Sequence, residues 1–113
     1  MANPQSRIVT HDFGRGANWQ GRSGRTYGLV SENLEHFVML EAALYVIAKG
    51  RSVLWVGSTN ELVDDPMSRT RFRLALDCAD RAFRVLTAGA VTERLSTIWD
   101  LEGAEPLASA QAA

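Results

Sequence analysis

Two apolar runs separated by a short polar break dominate the hydrophobic pattern of this chain. Leu44–Ala48 and Val53–Val56 flank Lys49-Gly50-Arg51-Ser52. Val, Ile, Tyr and Trp are frequent in the runs, and a Gly-containing gap of this length reads as a β-hairpin loop. Neither run alternates between apolar and polar positions. Both faces of the hairpin are therefore expected to be covered, by a helix on at least one side. Farther on, Asp65-Pro66 pairs a good N-cap with a residue suited to the first helical position. Phe72, Ala75, Leu76, Ala79, Ala82, Phe83 and Leu86 then recur at three- and four-residue steps, with a stop at Gly89. That spacing predicts one long helix over 66–88. Its opposite face carries Arg69, Arg73, Asp77, Asp80, Arg81 and Arg84, with opposite charges four apart, and reads as a solvated ladder. Arg71 falls between Cys78 and Ala82 on the helical wheel, inside the apolar face. Directed at the sheet, it must snorkel to an edge, pair with a carboxylate such as Asp64, or meet a phosphate. Val91, Leu95, Ile98 and Trp99 mark a second, shorter helix that ends before Asp100.

The remaining pattern is weaker. Residues 1–17 are polar, with Ile8, Val9 and Phe13 as the only anchors, and read as a partly ordered arm. In Trp19–Val30, Ser23-Gly24 suits a two-residue turn that sets Arg22 opposite Arg25 and Gln20 opposite Tyr27. An anion between those two arginines would relieve their repulsion, whereas a plain reading is a solvated hairpin tip. Ser31 is a candidate cap for a helical turn through Glu32, Asn33 and Leu34. Residues 59–64 read as a loop or a single turn, and 103–113 as a frayed tail with little to bury. The expectation is one domain over 18–102. Its class is α+β, a small antiparallel sheet centred on the 44–57 hairpin and packed by the 66–88 helix and a shorter C-terminal one. Phe72, Leu76, Phe83, Val46, Leu54 and Val56 are its expected core.

Composition adds boundaries rather than an activity. A chain of 113 residues, 46% hydrophobic and 22% charged, has the balance of an ordinary globular domain. No apolar run approaches the roughly 18 residues of a membrane span, and the N-terminal residues lack an apolar signal core. A single cysteine, Cys78, makes no internal disulfide, which suits a reducing cytoplasm. The net charge of −1 gives no global attraction to DNA or anionic lipid. Eleven of the twelve basic residues are arginine. That bias favours phosphate and carboxylate partners, though a GC-rich genome yields it as well.

Leu44-Tyr45-Val46, followed ten residues later by Trp55-Val56-Gly57-Ser58-Thr59 and then Leu62, resembles the signature strands of the GIY-YIG nuclease superfamily. The lead-in Trp19–Tyr27 resembles that of small bacterial members, and the likeness spans roughly residues 19–86. It implies metal-dependent phosphodiester cleavage, with magnesium as cofactor and nucleic acid as partner. A second-strand Tyr would help activate water, a helix Arg would steady the phosphate, and a Glu would hold the metal. Tyr45 matches the first-strand Tyr. Trp55 replaces the second, and indole donates a hydrogen bond but cannot act as a base. Asp65 stands where the Arg is expected, with Arg69 and Arg71 arriving later. Glu93 is the nearest metal ligand by order, on a helix face turned outward. The resemblance therefore implies a catalytically degenerate, phosphate-binding module using Tyr45, Arg71, Arg69, Arg22 and Arg25. An active nuclease and a protein-interaction adaptor are the alternatives.

Overall fold

The computed structural model describes residues 16–86 and 93–107. The elements are β1 (Gly16–Gln20), β2 (Thr26–Glu32), β3 (Tyr45–Lys49), β4 (Ser52–Gly57), α1 (Thr59–Asp64), α2 (Pro66–Cys78), β5 (Arg81–Val85), α3 (Arg94–Glu102) and β6 (Glu105–Pro106). The fold is α+β. One six-stranded sheet runs in the order β4-β3-β5-β2-β1-β6, and its pairings are antiparallel. The expected 1–17 arm lies outside the described residues except for Gly16 and Ala17, which begin β1.

The central hairpin forms where the apolar runs place it. Tyr45 pairs with Gly57, Val46 with Val56 and Ile47 with Trp55, and the register slips by one residue after Ile47. Gly50 closes the turn at φ +58°, a conformation costly for a residue with a Cβ. Its N–H donates to the Asp80 carboxylate at 3.1 Å.

Side chains of β3 leave the sheet in both directions, so both faces carry a core. On one face Trp19, Tyr27, Leu29, Val46, Ala48, Val56, Phe83 and Val85 pack with Ile98 and Leu101 of α3. On the other, Tyr45, Ile47, Trp55 and Ala82 pack with Ala75, Phe72 and Leu76 of α2. The near-continuous apolar character of β3 follows from this double coverage. Each fully buried large side chain contributes roughly 1.5–3 kcal/mol.

The long helix is shorter than its periodicity predicts. Asp65 caps α2 by accepting from Met67 N–H at 3.0 Å, as the Asp-Pro start implies. The helix ends at Cys78, and Ala79 is extended at φ −73°, ψ 153°. Residues 81–85 are a strand, not a helical continuation. They fill the slot between β2 and β3, pairing Phe83 with both Ser31 and Val46. Joining two hairpins into one sheet outweighs a seam that only local spacing supports. The proposed ladder dissolves with the helix: Arg84 pairs instead with Glu32 across the sheet at 3.1 Å, and Asp80 binds Gly50.

Other expectations change for local reasons. Residues 59–64 form a true helix because Ser58 and Glu61 close a capping box. Asn33, rather than Ser31, organises the following turn, its side-chain oxygen accepting from Glu35 N–H at 2.8 Å. Glu105 and Pro106 add a short edge strand against Gln20 and Trp19, so the tail is ordered at least to Leu107. The second helix runs on through Asp100 to Glu102; Val91 lies outside the described residues. Val46, Val56 and Phe83 are buried as expected, Phe72 and Leu76 are partly buried, and Leu54 is exposed at 37%. Leu54 is the residue skipped where the register slips, since Ile47 pairs with Trp55 and Ala48 with Val53, so it drops out of the inward alternation. No helix among the described residues is long and apolar enough to cross a membrane.

Candidate functional site

The densest polar constellation lies where the 21–25 loop meets the end of α3. Asp100 is 5% exposed, yet both its carboxylate oxygens are engaged. Ser23 N–H donates to Oδ1 at 2.6 Å, Ser23 Oγ donates to Oδ2 at 2.7 Å, and the Tyr27 hydroxyl donates to Oδ2 at 2.8 Å. The backbone joins in, with Arg22 N–H donating to Asp100 O at 3.1 Å. Gly21 makes the approach possible, since a Cβ there would lie 2.6–2.8 Å from the carboxylate atoms. Burial pushes the Asp100 pKa up, but the hydrogen bonds from Ser23 and Tyr27 and the Arg25 charge outweigh it and hold the group below the ordinary range. The same burial, reinforced by the hydrogen bond to Asp100 and its charge, lifts Tyr27 to about 12. Tyr27 therefore stays protonated and serves as a donor, not a base.

This anchorage fixes two arginines. Arg22 Nε donates to Trp99 O at 2.9 Å, supplying a donor to the C-terminal turn of α3. Its guanidinium stands 4.9 Å from the Trp99 ring centroid. Arg25 stands 5.1 Å from the Tyr27 ring centroid and 4.0 Å from Glu93, its side chain half exposed. Trp99 is 57% exposed and Leu95 71% exposed. Arg25, Tyr27, Glu93, Leu95 and Trp99 border an open cleft of about 640 Å³ that also includes Ser96, within the size range of small-ligand sites. The 21–25 loop is longer than the two-residue turn implied by Ser23-Gly24. Gly21 N–H donates to Arg25 O at 2.8 Å, Gln20 faces Thr26 and Trp19 faces Tyr27. Arg22 and Arg25 are not a cross-strand pair.

The sequence-predicted site residues divide between the two faces of the sheet. Tyr45 is 1% exposed in the α2-side core, its hydroxyl accepting from Leu40 N–H at 2.8 Å and Phe37 packed edge-on at 5.3 Å. Trp55 lies in the same layer and donates its indole N–H to Ser68 Oγ at 3.0 Å. Arg69 donates to the carbonyls of Leu62 at 2.7 Å and Val63 at 3.5 Å, capping the end of α1. Arg71 does not turn inward. It is exposed beside Leu54, Leu74 and Cys78, because α2 lays Ala75, Phe72 and Leu76 on the sheet instead. Glu93 is on the α3 side with Arg25, and its side chain is 67% exposed. Among the described residues no three His, Cys, Asp or Glu side chains are grouped to hold a metal ion.

A second, smaller cavity of about 230 Å³ is bordered by Glu41, Leu44, Ser58, Asn60 and Arg94. Its one lining cation, Arg94, is already paired with Glu61 at 2.9 Å. Burial raises the Glu61 pKa, yet the Ser58 hydrogen bonds and Arg94 bring it below the ordinary range.

Asp100 and Trp99 carry the α3-side site, and periodicity gave no sign of the former. The spacing ends the helix before Asp100 and gives that residue no role. The one available signal was a polar residue between Ile98 and Leu101 on the apolar side of a helix. No family model, curated protein or solved structure matches the chain.

Proposed function

We propose that this protein is a phosphate-contacting nucleic-acid-binding module, a catalytically degenerate relative of GIY-YIG nucleases. The observation that carries the reading is Arg25, held beside Trp99 at an open cleft by a loop clamped to buried Asp100, with a second cation, Arg22, stacked on the same indole. Cations fixed in advance contact phosphate without a large ordering cost. The nearby negative charges do not cancel them. Asp100 is buried under three donors, and the Arg25–Glu93 contact joins two exposed groups at 4.0 Å, a geometry worth little in water. Phosphate can displace it.

The absence of catalysis in this reading rests on the division between faces. The Tyr45 hydroxyl is engaged with Leu40 N–H in a core layer, Trp55 has no basic nitrogen, and Glu93 is on the opposite side of the sheet. Losing a general base alone costs about 10²–10⁴ in rate.

The test is titration of labelled single-stranded and duplex oligonucleotides at several salt concentrations, with cleavage followed in magnesium or manganese. Binding that weakens with salt and falls in Arg25→Ala, without turnover, supports the module. Turnover abolished by Arg71→Ala promotes the active nuclease. Neither binding nor turnover leaves the adaptor reading, to which the exposed Leu54, Met67 and Leu74 would then belong.

A further inference from the structure

Resting on that reading, we infer that the cleft selects unpaired nucleotides, holding a base against Trp99 and the adjoining phosphate on Arg25. Trp99 is held in place at the surface rather than merely exposed. Its backbone carbonyl is tied to Arg22, its own helix is pinned by Asp100, and the Arg22 guanidinium covers one side of the indole. The ring is nonetheless 57% exposed and borders the cleft. Leu95, at 71% exposure one helical turn earlier, extends the apolar surface. Arg25 and Ser96 supply the polar side of the same cleft. An aromatic platform beside cations is the pattern by which proteins hold single strands, because every base has a face to stack and duplexed bases do not offer it. A paired base would have to leave its helix to reach the indole, at a cost of a few kcal/mol.

The chain carries its own reporter. Trp19 and Trp55 are 1% and 4% exposed, so Trp99 is the single tryptophan open to a ligand. The experiment is a titration of intrinsic fluorescence with oligodeoxyuridylate, oligouridylate and a duplex of the same length. Quenching by a single strand but not by the duplex is the expected result, and comparison of the two single strands identifies the sugar preferred. Trp99→Ala should bind single strands about 5- to 150-fold more weakly, the range that one stacked base represents. Trp99→Phe should recover part of that loss, and the buried tryptophans report that both variants remain folded. Duplex and single strand bound equally, or binding without quenching, would overturn this inference while leaving the phosphate-binding reading intact. No binding of any nucleic acid would overturn both.

Discussion

Replacing Asp100 with alanine should show how much of the molecule depends on the junction between the first hairpin and α3. The substitution removes the acceptor for Ser23 N–H, Ser23 Oγ and the Tyr27 hydroxyl. Ser23 is exposed and can turn to water, so its loss is small. Tyr27 is 1% exposed and cannot, which leaves a buried hydroxyl without a partner at about 1–3 kcal/mol. Charge-assisted hydrogen bonds to Asp100 contribute about 1.5–3 kcal/mol each, partly offset by no longer burying a carboxylate. The net loss should be about 2–4 kcal/mol. Tyr27→Phe should lose only about 0.5–1.5 kcal/mol, since Oδ2 keeps Ser23 as a donor. Once Asp100 is gone, that second change should become nearly neutral or even favourable, because the orphaned hydroxyl goes with it. Urea unfolding followed by circular dichroism on the two single variants and the double variant gives the coupling directly. A loss below about 0.5 kcal/mol for Asp100→Ala, with the denaturant slope unchanged, would refute the claim that this carboxylate clamps the loop.

Three further outcomes follow from the same geometry. The contribution of Asp100 should be complete at neutral pH and disappear as acid takes the carboxylate through its lowered pKa. That of Tyr27, whose pKa is raised to about 12, should be intact below pH 10 and decline between about 10 and 12, both read from midpoint against pH. Gly21→Ala places a methyl 2.6–2.8 Å from the Asp100 carboxylate, so it should cost about 1–3 kcal/mol and loosen the arginine loop; an unchanged midpoint would contradict that contact. Leu76→Ala should cost less than a fully buried leucine does, about 1–2 kcal/mol, because Leu76 lies at the margin of the α2-side core.

Local chemistry was legible wherever a few neighbouring residues decide the outcome. The Lys49–Ser52 hairpin loop and the Asp65-Pro66 helix start are of this kind, since the loop glycine and the cap act on the chain beside them. Coverage of β3 on both sides was legible too, from its lack of alternation. Strand β5 was not, because Ala79, Ala82, Phe83 and Leu86 satisfy a helical period by coincidence of spacing. Only the vacancy between β2 and β3 distinguishes the two structures, and that vacancy is a property of residues 33 to 56 positions away. The α3-side site was hidden for the same reason. Arg22 and Arg25 were visible as cations, but their support comes from a carboxylate 77 positions away from Ser23, and no period in the sequence points to it.

The position of β5 also dictates when this protein can begin to resemble itself. Each outer hairpin, β1 with β2 and β3 with β4, is complete within a short stretch of chain. Neither touches the other across the sheet until Arg81–Val85 lies between them. Without Arg81–Val85 the two hairpins are separate ribbons with open edges, and isolated two-stranded ribbons are marginal in water. Closing the sheet requires β5 to pair along both edges, a non-local step of the kind that is slow compared with helix formation. Until then Leu29 and Val46 share no finished layer, and exposed strand edges are open to pairing with another chain. A chain cut after residue 80 would keep both of those edges unpaired and open to association.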